Sequence, residues 1–286
     1  MAYGRNYYPD QQVFIGELGS SVSELKGVQS FEGNWSVPYE QMMAAGYNYV
    51  GNEVAGELVG EVSVSRYIIT GSDPITGLID TPVSGYLIYG KNESYDKVFN
   101  FSRGYINSYE SNCSLGEVAS CDFGLTAYGG IGKMSSETRS YTPITPEAAT
   151  ANNISVTTDF GSTNAIQSYS ISLDFERTPV NKIGQVFKPT DFVTNLPIQA
   201  SIGFDVLVND YEAQNIMDVV CGDFTSNLTI ELNKNCTSDN IRGFSFTNAS
   251  LVDSSLSAGI GDNMTLSISY SAYYSSITGA LESIMS

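Results

Sequence analysis

The chain carries the same sequence pattern twice. Gln29-Ser30-Phe31 matches Gln167-Ser168-Tyr169 at an offset of 138, which also places Gly46 on Gly184 and Tyr49 on Phe187. Further on, Phe99, Phe101, Gly116, Ala127 and Tyr128 fall on Phe244, Phe246, Gly261, Ala272 and Tyr273 at an offset of 145. The change of offset reads as a seven-residue insertion in the middle of the second copy. Units of this length are too long for a solenoid, so each copy is expected to be a domain. The expected layout is an arm over 1–12, a first domain over 13–142, a linker over 143–154 and a second domain over 155–286. The linker is placed by Pro143 and Pro146 in a stretch without apolar periodicity.

Both copies read as all-β. Phe31, Gly33, Trp35, Val37 and Tyr39 alternate with Ser30, Glu32, Asn34, Ser36 and Glu40, and Tyr169, Ile171, Leu173 and Phe175 alternate with Ser168, Ser170, Ser172, Asp174 and Glu176. Such a period of two places one face in a core and the other in water. The same holds for Val62 and Val64, for Ala200 to Val206, for Cys121 to Leu125 and for Leu266 to Tyr270. On this parity Trp35 reads as a core residue, and Glu61, Asp122 and Asp205 face water. Short helices are expected near Pro74–Ile79 and over Asp210–Val220. Two long segments, 41–60 and 178–197, exceed any tight hairpin turn and are expected to make contacts.

Several function classes lack their residues. There is no histidine, which removes the usual general base and histidine-bearing zinc sites. Cys113, Cys121, Cys221 and Cys236 show no CxxC spacing, and with no export signal at the start they read as reduced thiols. The nine Asn-x-Ser/Thr triplets read as chance in so Asn- and Ser-rich a chain. Ala127 to Met134 looks like a phosphate loop but has Ala127 in place of the first Gly and Met134 in place of Ser or Thr. No enzyme activity, metal or cofactor is expected. Acids outnumber bases 31 to 13, and each half carries −9, which disfavours a grip on nucleic acid or on an anionic membrane. No apolar run is long enough to span a bilayer.

The closing segments, FNFSRGYINSYESNCSLGEVASCDFGLTAY from Phe99 and FSFTNASLVDSSLSAGIGDNMTLSISYSAY from Phe244, resemble the late hairpin of tail tube proteins of long-tailed bacteriophages. An aromatic strand leads through a Ser-rich stretch to a Gly-acid turn, Gly116-Glu117 or Gly261-Asp262, and a last alternating strand. The resemblance spans about 12–142 and 155–286. It implies β-sandwich domains with a short flanking helix, whose inner sheets join in rings that stack into a virion tube assembled in the host cytoplasm. Two domains per chain imply a pseudo-hexameric trimer. Implied partners are other copies of the chain, a tape-measure protein, terminator and tip proteins, and double-stranded DNA in transit.

On this reading Glu61, Asp122 and Asp205 line the lumen, and Met42, Met43, Val50, Val186, Phe187 and Phe192 stack one ring on the next. A ring of 24 strands spaced about 4.8 Å apart has a circumference of roughly 115 Å before tilt, wide enough for duplex DNA about 20 Å across. Two alternatives stand beside it. One is another tail component on the same fold, a tip ring or a terminator. The other is a carbohydrate-binding β-sandwich, supported by Trp35 and the many tyrosines.

Overall fold

The computed structural model describes residues 11–41, 52–54, 59–69, 73–91, 96–128, 130–134, 149, 153–158, 161–163, 166–180, 182, 189, 191–207, 225–233, 240–257 and 264–284. The fold is all-β. The first copy contains β1 (Gln12–Glu17), β2 (Ser23–Leu25), β3 (Val28–Ser36), a small hairpin of β4 (Tyr39–Gln41) and β5 (Asn52–Val54), β6 (Val59–Tyr67), β7 (Val83–Lys91), β8 (Asp96–Ser114), β9 (Ser120–Tyr128) and β10 (Ile131–Met134). The second contains β11 (Ile154–Thr158), β12 (Gly161–Thr163), β13 (Ile166–Asp174), a hairpin of β14 (Arg177–Val180) and β15 (Asp191–Thr194), β16 (Ile198–Leu207), β17 (Thr225–Asn233), β18 (Asn240–Ser257), β19 (Thr265–Tyr274) and helix α1 (Ile277–Ile284).

The two copies share one topology. Strands β3-β6-β9-β8-β7-β1-β2 are neighbours in the first, and β13-β16-β19-β18-β17-β11-β12 in the second. Their irregularities also coincide. A bulge at Gln29, between the pairs of Val28 and Ser30, recurs at Gln167, between those of Ile166 and Ser168. A second, between Ile106 and Ser108, recurs between Leu251 and Asp253. Bulges bend a strand and re-aim its side chains, so the duplication has kept the geometry through wide sequence change.

The register also redistributes the expected insertion. Phe31 corresponds to Tyr169, Val64 to Phe204, Gly85 to Leu228 and Phe101 to Phe246, so the offset climbs through 138, 140, 143 and 145. The extra residues enter in three connections rather than in one place.

In each copy the long strand, β8 or β18, belongs to two parts of the sheet. Its first half pairs with β7 or β17 and its second half with β9 or β19. Folding one part over the other buries the apolar face. Val13, Ile15, Val83 and Phe101 share a cluster with Val62, Val64, Phe123 and Leu125. The expected parity holds: β6 reads buried at Val62 and Val64, β9 at Cys121, Phe123 and Leu125, and β16 at Ala200, Ile202, Phe204 and Val206. Each buried aliphatic or aromatic side chain here contributes about 1.5–3 kcal/mol.

The segment at Pro74–Ile79 is a 3-10 turn over Thr76–Leu78, with Ile75 and Ile79 buried. Its N-terminal side is held by Asp73, which accepts the N–H of Ile75 at 3.0 Å and pairs with Arg66 at 3.1 Å. The expected helix over Asp210–Val220 lies outside the described residues. Helix α1 packs against β18 with Ala280 buried; strand periodicity does not predict it, whereas the family resemblance implies a short flanking helix.

Candidate assembly edges and the acidic face

The two copies are fused edge to edge. Strand β13 pairs antiparallel with the second half of β8, from Ser168 opposite Ser114 to Asp174 opposite Ser108. The backbone N–H of Phe175 extends the seam to Asn107 O at 2.7 Å. The result is a run of eight strands, β3-β6-β9-β8-β13-β16-β19-β18, whose apolar face is buried along the six inner strands and whose other face is open. At the seam Tyr109 lies opposite Leu173, Ser111 opposite Ile171 and Cys113 opposite Tyr169, all of them buried. Ser111 and Tyr169 hydroxyls meet at 3.0 Å, so these two buried hydroxyls satisfy one another. Burial pushes the Cys113 thiol up to about 11 and the Cys121 thiol up to about 12. Both are free thiols, and neither is a ready nucleophile.

The open face is built mainly from Ser, Thr, Gly, Asn and acids, with Tyr67, Gln199, Leu207 and Tyr273 toward its margins. One row takes a residue from each of the eight strands: Ser30, Ser65, Asp122, Glu110, Ser172, Ser201, Ser271 and Ser250; of these Ser271 is buried, accepting from Gln199 Nε2 at 3.3 Å. Glu61 and Asp122 lie on this face of the first copy, and Glu32 and Glu61 line one shallow depression there. Asp205 lies on the same face of the second copy, where it accepts the hydroxyls of Ser168 at 2.6 Å and Ser267 at 2.5 Å. The three acids thus share one continuous face. The face positions of the described strands carry no Lys or Arg from Ser30 to Ser36, Glu61 to Tyr67, Ser108 to Ser114, Ser120 to Thr126, Ser168 to Asp174, Gln199 to Leu207 or Thr265 to Tyr273.

Of the residues expected to stack rings, Met42, Met43, Val50, Val186 and Phe187 lie outside the described residues. Phe192 is described and half-buried. Its ring lies 4.2 Å from that of Tyr105 and 4.5 Å from that of Tyr128. Arg177, on the partner strand of the same hairpin, lies 4.9 Å over Tyr105 and donates to Ile79 O. The second copy's hairpin is therefore clamped onto the first copy.

Trp35 is not in the core: it is 56% exposed, tilted against Phe99 at 5.4 Å. The reason is its strand. Among the described residues β3 pairs only with β6, so its other edge is open, whereas its counterpart β13 is flanked on both sides. The residue equivalent to Trp35 is Leu173, fully buried under the seam. At the opposite end, among the described residues, β18 from Asp253 to Ser257 pairs only with β19. Val252 and Leu256 are 65% and 60% exposed there. Alternation alone misses these exposed residues, because parity says which face a residue takes and not whether its strand has a neighbour. Aligning the copies position by position on the strand order shows the difference.

No protein-family model matches the chain, and no curated protein matches it in sequence. Among solved structures, the chain is similar to one described as "Tail of empty GTA particle computed with helical refinement, C6 symmetry", at 10% identity and a TM-score of 0.36, over 46% of this chain and 100% of that one.

Proposed function

We propose that this chain is a structural subunit of a phage-type tail tube, that three chains close into one ring of six equivalent units, and that the acidic face lines a conduit for double-stranded DNA. The tail assignment comes from the sequence resemblance. The ring reading is supported by the stagger of the eight-strand run. Following one row of cross-strand neighbours from Ser30 on β3 across four strands leads to Ser172 on β13. Ser172 is the equivalent of Asn34, four residues further along than Ser30. The stagger is thus one residue per strand. A sheet closing with that stagger has strands tilted by about 36°, as in eight-stranded barrels of shear eight.

Stagger and strand spacing together fix the size of a closed ring. Three chains supply 24 such strands, and the tilt widens the backbone diameter to roughly 45 Å. Two chains would give only about 30 Å, which side chains narrow below the width of a duplex. Three is the smallest ring that passes DNA. A face with acids and without bases repels phosphate and offers it no holding point. On this reading the chain is not an enzyme and needs no cofactor, and its partners are its own copies and the other tail proteins.

Native mass spectrometry of the assembled chain, with a reconstruction free of imposed symmetry, tests the reading. Rings of three chains with a central hole are expected. Six chains per ring, or monomers at every concentration, would refute it.

A further inference from the structure

We infer that the two open edges are partners: the outer edge of β3 in one chain pairs antiparallel with Asp253–Ser257 of β18 in the next, in the register of the internal β8–β13 seam. Carrying that register across the duplication places Glu32 opposite Ser257, Gly33 opposite Leu256, Asn34 opposite Ser255, Trp35 opposite Ser254 and Ser36 opposite Asp253. The contact is head-to-tail between different surfaces, the kind that repeats into rings. It deepens the tube reading, resting on it only for the number of chains in the ring.

Four observations point to a second copy as the occupant. First, the edges are the leftover halves of a junction the molecule already contains once. Second, the exposed apolar residues sit where the internal seam buries theirs. Trp35 at 56% and Val37 at 37% exposed correspond to Leu173 and Phe175, both at 0%; Leu256 at 60% corresponds to Ser111 at 0%. Third, the side chains are complementary in size. The internal seam sets Ile171 against Ser111, and the open edges offer the reverse, Gly33 against Leu256. A large residue facing a small one is kept with the sides exchanged, which conserves volume as packed cores require. No like charges fall opposite one another in this register.

Fourth, the covering hairpin is accounted for. Within the chain β14–β15 lays Phe192 on Tyr128, leaving Tyr128 only 7% exposed. Tyr273, its equivalent, is 62% exposed. The counterpart hairpin, β4–β5, leaves the end of β3 with Tyr39 65% exposed. In the paired arrangement that hairpin reaches the Tyr273 of the next chain. An open strand edge left uncovered is a site for uncontrolled pairing; a second copy closes both edges at once.

Cysteine pairs and the lone tryptophan test the register. Opposed residues bring their Cβ atoms within about 5.5 Å, close enough for a disulfide after small adjustment, whereas a slip of four residues separates them by about 13 Å. Under mild oxidation of assembled protein, Asn34→Cys with Ser255→Cys should link chains into a ladder ending at the ring size, and Ser36→Cys with Ser257→Cys should not. Either single substitution should give no ladder. In the parent chain, which needs no substitution, assembly should shift Trp35 emission to the blue and lower its quenching by acrylamide several-fold. Rings that form without the first cross-link, or with only the second, or with Trp35 still open, overturn this seam and leave the ring reading standing. Cross-linked open chains that never close uphold the seam and sink the ring. A chain that stays monomeric with Trp35 open defeats both.

Discussion

Asp73 is where a conservative change should do the most damage. Its carboxylate accepts the N–H of Ile75 at 3.0 Å, lies 3.1 Å from the Arg66 guanidinium and faces the Tyr109 hydroxyl at 3.4 Å. Both charged side chains are about 95% buried, at 5% and 4% exposure, and Nε of Arg66 has no hydrogen-bond partner among the described residues. Asp73→Asn keeps an oxygen for Ile75 but removes the counter-charge, leaving a guanidinium buried alone. Breaking a buried pair in this way costs about 3–5 kcal/mol, against a total stability of about 5–15 kcal/mol for a typical domain. Replacing both partners, as Arg66→Met with Asp73→Asn, removes the stranded charge and should recover most of the loss. The assay is urea unfolding of unassembled protein followed by Trp35 emission. Trp35 suits it because β3 pairs along β6, the strand that carries Arg66. At unchanged slope, the midpoint should fall sharply for the single variant and return toward the parent for the double. A single variant within about 1 kcal/mol of the parent, or a double no better than the single, would show that the pair is not holding this part of the core.

Two further predictions follow from the open face and the seam. Replacing Glu61, Asp122 and Asp205 with Lys should leave assembly intact, since none is in the core, and should slow DNA ejection at low salt, because each new phosphate contact adds salt-dependent affinity; equal ejection rates of variant and parent particles at low salt would remove these residues from the channel. Burial holds the Cys121 thiol protonated up to about 12, from an ordinary value near 9. Native protein at pH 8 should therefore leave Cys113 and Cys121 unlabelled by iodoacetamide. The sign for stability is the same: the contribution is intact below pH 9 and declines as pH rises from 9 toward 12, because the unfolded chain ionises first. Rapid labelling of either thiol in folded protein, or stability that rises over that range, would contradict the burial.

Much of the fold was legible because strand parity is a local property. Val62, Val64, Phe123, Leu125, Ile202 and Phe204 alternate with polar residues, and a slip of one residue would have buried Glu61 and Asp205. The Gly116 turn was legible for a like reason: its φ of +87 suits glycine, and it carries β8 into β9. Edges were not legible. Trp35 obeys the parity of a core residue, yet whether a strand lies beside it depends on pairing between residues 60 or more positions apart, such as Leu173 with Tyr109. The outer strands β1, β7, β11 and β17 were harder to read than the inner ones. In β1, Val13, Phe14 and Ile15 are all buried, so alternation is lost where both faces are covered. Helix α1, only eight residues long, directly follows a strand and offers too little periodicity to announce itself.

The internal seam between β8 and β13 also bears on how fast such an assembly can grow. A ring built from six separate units needs every junction to form by encounter in solution. In the proposed ring of three chains, half of the junctions are made within the chain, at the effective concentration of tethered partners, on the order of millimolar. The population of closed rings then rises with the third power of chain concentration rather than the sixth. A scarce subunit, early in its synthesis, gains most from that difference.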